Sequence, residues 1–167
     1  AAIHGTIPLG AGMGSSTALA VATAFIVRRL WPYRLTELGV TVPPRRDDRG
    51  RLPPLESKER TFLARLIQAA EASVSNATAG LRDPLSILFG RSVQVLNIDC
   101  RFHTVDCLPL IGETIVVCDS GAPSGQNASE LESIRRHLES AARALRAKTL
   151  RSVEPAYLRS NRQSLTE

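Results

Sequence analysis

The sequence predicts an α+β fold. A long apolar helix lies near its start, a group of β-like runs sits in the middle, and an amphipathic helix follows. Ser15 to about Leu30 is apolar nearly all round, which predicts a buried helix. Arg28 and Arg29 fall in its last turn, where a cation meets the negative end of the helix dipole, and Trp31-Pro32 ends it. Residues 32–55 differ in kind. The run from Pro43 to Pro54 is dominated by proline, arginine and aspartate and cannot form a regular element, so the segment is expected to be an exposed, mobile loop.

A second helix is predicted from Ser57 to about Ser73, with Phe62, Leu63, Leu66, Ile67 and Ala70 as its inner stripe. Small residues from Ser73 to Gly80 read as a loop. Asp83-Pro84 then opens a short helix, Asp83 as N-cap and Pro84 in the first helical position. Three β-like runs follow, Val93–Ile98, His103–Leu108 and Thr114–Asp119, expected to be antiparallel. A loop containing Gly121, Pro123 and Gly125 leads to a helix that opens on the capping box Ser129-Glu130-Leu131-Glu132. Leu131, Ile134, Leu138, Ala141 and Leu145 give it one apolar face.

Composition excludes several classes. The hydrophobic content of 43% is that of a globular chain, and the longest apolar stretch, Thr17–Val27, is too short to span a bilayer. No charged segment followed by an apolar one reads as a secretory signal. Cys100, Cys107 and Cys118 are odd in number and lack metal-ligand spacing, so they read as reduced thiols in a cytoplasmic protein, Cys100 as a small core residue of a strand. The net charge of +5 comes from scattered arginines with only 4% aromatic residues. That pattern argues against a nucleic-acid surface, and no membrane partner is expected.

The run from Pro8 to Ala18 carries the chemistry. Gly10, Gly12 and Gly14 let backbone N–H groups approach a ligand, and the helix behind them offers unpaired N–H groups and a positive dipole end. Such a loop suits phosphate. It has no lysine, which excludes a Walker P-loop, and its G-x-G-x-G spacing lacks the later acid of a dinucleotide fingerprint. A plainer reading also stands: Ser15 or Ser16 simply caps a buried helix.

Pro8-Leu9-Gly10-Ala11-Gly12-Met13-Gly14-Ser15-Ser16-Thr17-Ala18 resembles the Pro-x-Gly-x-Gly-Leu-Gly-Ser-Ser-Ala motif of the GHMP small-molecule kinases. Further blocks resemble the galactokinase branch: Gln68-Ala69-Ala70-Glu71, Gly80-Leu81-Arg82-Asp83, Leu88-Phe89-Gly90, Asn97-Ile98-Asp99-Cys100-Arg101 and Val116-Val117-Cys118-Asp119-Ser120 with Ser129-Glu130 and Arg135-Arg136. They occur in family order and cover nearly the whole chain. The resemblance implies the two-domain GHMP fold with its ribosomal-protein-S5-domain-2-like N-terminal part, truncated here at both ends. Residues 1–90 would be part of the N-terminal domain and 91–167 the start of the C-terminal one.

The resemblance also implies roles. Gly10, Gly12, Gly14, Ser15 and Ser16 would bind ATP phosphates, Ser16 and Glu71 would hold Mg²⁺, and Asp83 would be the catalytic aspartate beside the sugar hydroxyl. ATP and a monosaccharide are the implied partners, with galactose leading and arabinose or a heptose as other acceptors. A non-catalytic sugar and nucleotide sensor is the alternative, and the oligomeric state stays open. Taken alone, Asp83 reads as a helix cap and Glu71 as an exposed helix residue. Departures from the pattern are Arg82-Asp83-Pro84 in place of Met-Asp-Gln and Leu131 in place of the tyrosine of Ser-Glu-Tyr. The family's N-terminal and C-terminal motifs fall outside this sequence, so the chain alone is expected to be inactive.

Overall fold

A computed structural model describes residues 2–36, 39–41, 46–75, 80–118 and 128–165. The chain forms two compact units, residues 1–124 and 125–167. In the first, helices α1 (Ser15–Leu30), α2 (Ser57–Ser75) and α3 (Arg82–Phe89) pack on one another around Val21, Leu63, Ala64, Ile67, Leu85 and Leu88. Two antiparallel hairpins flank them. Strands β1 (Arg34–Thr36) and β2 (Gly39–Thr41) pair with Leu35 opposite Val40, and β1 leans on α2. Strands β3 (Gln94–Asp99) and β4 (Thr104–Pro109) pair from Gln94–Pro109 to Asp99–Thr104, with Ile98 and Val105 packed on the core. The second unit holds α4 (Ala128–Ala144), a 3₁₀ turn at Leu150–Ser152, α5 (Pro155–Ser160) and a further 3₁₀ turn at Arg162–Leu165. The mixture of helices with antiparallel strands agrees with the α+β expectation. Among the described residues no helix is long and apolar enough to cross a membrane.

Several sequence expectations need correction. Helix α1 is not buried all round: Thr17, Val21 and Arg28 form one inward line, while Leu19, Ile26 and Leu30 are exposed. An apolar pattern without polar positions gives no clue to which side packs. Leu66 and Ala70 of α2 likewise face outward, and the packed positions are Leu63, Ala64 and Ile67. Residues 114–118 form no strand, and Ile115, Val116 and Val117 are exposed; Asp119 lies outside the described residues, as does the loop of Gly121, Pro123 and Gly125. Helix α4 already begins at Ala128, so Ser129 is inside it rather than at its cap; Ile134 and Leu138 are about half exposed, and Leu145 is buried. Cys100 sits in the exposed turn after β3, because the Asp99 carboxylate accepts from the N–H groups of Arg101 (2.8 Å) and Phe102 (3.2 Å) and folds the chain back.

Residues 37, 38 and 42–45 of the segment 32–55 lie outside the described residues; its described part is better anchored than its composition suggests. Leu35 and Leu55 are buried in the core. Arg28, 6% exposed, donates to the carbonyls of Tyr33 (3.3 Å) and Pro53 (3.1 Å). Arg46 donates to the Arg29 carbonyl at the end of α1 (2.8 Å) and to that of Gly50 (2.9 Å). Asp47 closes the tip by accepting from the N–H groups of Arg49 (3.0 Å) and Arg51 (2.7 Å). Buried Glu59, in the first turn of α2, accepts from the N–H of Glu56 (3.1 Å), the reaching-back half of a capping box, and from that of Leu35 (3.4 Å). α3 stops where the chain needs no Cβ: one on Gly90 would meet the Ser86 carbonyl at 2.7 Å.

Two measurements test this core. Leu63 is fully buried and Leu66 56% exposed. Leu63→Ala is expected to cost about 2–5 kcal/mol in urea unfolding, and Leu66→Ala about 0.5 kcal/mol or less. Tyr33 donates its hydroxyl to the Ala24 carbonyl (3.2 Å), and burial raises its pKa above the ordinary 10.0, partly offset by the Arg28 charge. A phenol whose folded pKa is raised adds stability that is complete below pH 10.0 and lost as the pH climbs through the folded value. The difference between the 295 nm titrations of the native chain and Tyr33→Phe should therefore show a midpoint above 10.0.

Candidate active site

The glycine-rich loop and the first turn of α1 define the site. Gly10, Gly12 and Gly14 have φ of 71°, 69° and 70°, the left-handed region that side-chain-bearing residues avoid. Gly14 is the N-cap of α1, and no side chain closes the cap. The first intrahelical bond runs from the Ala18 N–H to the Gly14 carbonyl (2.9 Å), so the N–H groups of Ser15, Ser16 and Thr17 have no acceptor within the helix. The capping explanation for the serines is thereby displaced: both lie inside α1, and the Ser16 hydroxyl is turned elsewhere.

It is turned to Glu71. The Ser16 hydroxyl donates to Glu71 Oε1 at 3.3 Å, and Thr17 Oγ1 lies 2.8 Å from Oε1 and 3.1 Å from Oε2. Glu71, near the end of α2, is half-buried rather than an exposed helix residue. Thr17 is a site residue that sequence reasoning passed over. Its only signal was a third hydroxyl following Ser15 and Ser16 at the start of a helix.

Asp83 reaches the same place from α3. It is not the N-cap, because α3 starts one residue earlier with Leu81 as cap. Asp83 falls in the first turn, where the helix dipole favours an anion. A Cβ built on Gly14 would sit 3.7 Å from Asp83 Oδ2 and 3.8 Å from its Cβ and Cγ. The carboxylate thus faces the backbone at the start of α1. Arg82 Nε donates to Asp83 Oδ1 at 2.9 Å, and this bond, then the Asp83 charge, raises the guanidinium's pKa. Pro84, in place of the family's glutamine, is fully buried in the core.

The structure therefore brings Gly14, Ser16, Glu71 and Asp83 to one end of the helical layer, with Ser15 in the same turn and Gly10 and Gly12 in the exposed loop ahead of it. Among the described residues no three of histidine, cysteine, aspartate and glutamate converge as a metal cage. One carboxylate beside one exposed hydroxyl is a hard-oxygen donor set, suited to an ion that takes its remaining ligands from phosphate and water.

Comparison with known proteins fits this geometry. Residues 1–41, the loop, α1 and the first hairpin, match the family described as GHMP kinases N terminal domain. The galactokinase of Roseiflexus sp. (strain RS-1) is 32% identical over 171 residues, covering 99% of this chain and 38% of the relative. The galactokinases of Canis lupus familiaris and Bos taurus are 27% and 28% identical, covering 100% and 99% of this chain and 37% of each relative. The chain spans less than two fifths of the length of these curated relatives. Loop, helix and matches together make this chain similar to the GHMP kinases. The relatives that it matches along its length are galactokinases.

The left-handed cap gives a direct test. The space at Gly14 would admit a Cβ, so its φ of 70° sets the requirement. Gly14→Ala should destabilise the fold by about 1–2 kcal/mol in urea unfolding. Gly5→Ala, with nothing within 4 Å of the added carbon, should change stability by about 0.5 kcal/mol or less.

Proposed function

We propose that the protein to which this chain belongs is an ATP-dependent sugar kinase that phosphorylates galactose at its anomeric hydroxyl to galactose 1-phosphate. The observation that carries the reading is the convergence of two carboxylates from separate helices, Glu71 and Asp83, on the N-terminus of α1 behind a left-handed glycine loop. Phosphoryl transfer asks a protein chiefly to position its reactants and to stabilise spread negative charge. Backbone N–H groups of the loop from Gly10 through Gly12 and Gly14 to Ser15 and Ser16 bind the ATP phosphates, supported by the helix dipole. Ser16 and Glu71 hold Mg²⁺, which when bound neutralises charge on the phosphate oxygens. The site is a cytoplasmic one on this reading, with nucleotide and monosaccharide as its partners and no nucleic acid.

Asp83 faces the sugar hydroxyl. It takes the hydroxyl proton as the oxygen bonds to the γ-phosphorus of ATP, and the bond from that phosphorus to the bridging oxygen breaks to release ADP. Arg82, bonded to the same carboxylate, fixes the side chain in place. In this reading residues 1–90 contribute the phosphate loop and aspartate of an N-terminal GHMP domain, and residues 91–167 begin the C-terminal domain of the same two-domain fold.

A coupled ADP-release assay on the full-length gene product, with Mg·ATP and a monosaccharide panel led by galactose, tests the proposal. Galactose is expected to give the highest turnover, and Asp83→Ala to lower it by about 10²–10⁴-fold while ATP binding survives. Near-normal turnover by that variant would remove Asp83 from the chemistry. Binding of both ligands with no sugar phosphate formed would replace the kinase reading with a sensor.

A further inference from the structure

We propose that Thr17 is a positioning residue that braces Glu71 for cation binding. The inference rests on Glu71 being the metal-holding carboxylate, as proposed above. Two neighbouring hydroxyls approach this carboxylate, and they differ in kind. Ser16 is exposed and makes the longer contact, 3.3 Å to Oε1. Thr17 is 6% exposed and closer, 2.8 Å to Oε1 and 3.1 Å to Oε2.

A threonine hydroxyl has one proton to give, whereas an ionised carboxylate offers about four lone-pair positions on its two oxygens. Thr17 therefore engages Glu71 from the protein interior with one donated proton, fewer than a carboxylate can accept. The exposed Ser16 hydroxyl stands on the side open to a ligand. Its longer bond is the one to exchange when a cation arrives, while the Thr17 bond persists.

Mg²⁺ demands near-octahedral geometry and dehydrates reluctantly, so a carboxylate that serves it gains from having its orientation set beforehand. Glutamate swings on three side-chain torsions, and a β-branched residue anchored in a helix is a stiff partner against which to fix it. Loss of a hydrogen bond that orients a ligating group typically costs 10–100-fold in metal affinity. Valine at position 17 keeps the shape and removes only the hydroxyl; serine keeps the hydroxyl and loses one methyl.

The test measures Mn²⁺ binding by water-proton relaxation in the full-length gene product saturated with a non-hydrolysable ATP analogue. Thr17→Val, Thr17→Ser and Glu71→Gln are compared with the native protein, and thermal midpoints are recorded on the same samples. The expected result is an Mn²⁺ dissociation constant raised about 10–100-fold in Thr17→Val and in Glu71→Gln, with Thr17→Ser close to native. An unchanged Thr17→Val alongside a weakened Glu71→Gln overturns the brace and leaves the metal-holding carboxylate standing. An unchanged Glu71→Gln overturns the metal assignment, and the brace with it. Equal losses in Thr17→Val and Thr17→Ser that follow the thermal midpoint reduce Thr17 to packing and also overturn the proposal.

Discussion

The hydrogen bond from Thr17 to Glu71 joins residues 54 positions apart, and the arrangement of this end of the molecule depends on it. Helix α1 is apolar on every side, so the hydrophobic effect, being non-directional, does not choose a rotation about its axis. A directed contact at its first turn does. With Thr17 facing Glu71, Val21 one turn on meets the core and Ala24 packs beside it. The same rotation brings the Gly14 backbone against Asp83. One polar bond thus sets a packing stripe and the approach of a second carboxylate.

The opposite end of α1 is held by different means. Its carbonyls would otherwise be left without donors: the Arg46 guanidinium reaches the Arg29 carbonyl, and the Trp31 backbone N–H bonds to that of Val27. Buried Arg28 extends past the helix end to the carbonyls of Tyr33 and Pro53. A guanidinium has five donors in a fixed plane, so a single side chain can tie several strands of irregular backbone. This explains how the described part of a proline- and arginine-rich segment carries Leu35 and Leu55 into the core with only two short strands.

The contrast between what the sequence reveals and what it hides follows from the range of the forces involved. The bounds of α1 and the start of α2 were readable because Pro32 and Ser57 act locally: α1 spans Ser15–Leu30 and α2 begins at Ser57 as expected. The β3–β4 hairpin was readable from alternation within each strand. The run 114–118 has the same β-branched composition yet pairs with nothing described, because a strand needs a partner that its own residues do not specify. In the site, the glycines and serines announced themselves as a contiguous run, and Glu71 and Asp83 emerged from the family spacing. Thr17 did not, since its role exists only when another helix presents a carboxylate. Asp-Pro fits a helix start, so the local sequence predicts Asp83 as a cap. The hydrogen bond from Leu85 N–H to the Leu81 carbonyl moves that start back by one residue and leaves the carboxylate to face Gly14.

The start of α3 also limits how its unusual sequence can affect specificity. Successive helical residues point about 100° apart, so Arg82, Asp83 and Pro84 project three ways. Arg82 extends into solvent with its side chain 75% exposed, while its Nε stays on Asp83; Asp83 faces the α1 N-terminus; Pro84 is buried among the helices. Pro84 lacks any side-chain polar group, and its burial keeps it from contacting a small molecule at the surface. Its effect is on the stiffness of the turn that carries Asp83, since proline fixes its own φ and biases the residue before it. Arg82 is different, because a guanidinium bonded through Nε still has donors to offer. On the proposed kinase reading, a change in acceptor preference tied to this tripeptide would trace to Arg82, with Pro84 acting only through the placement of Asp83.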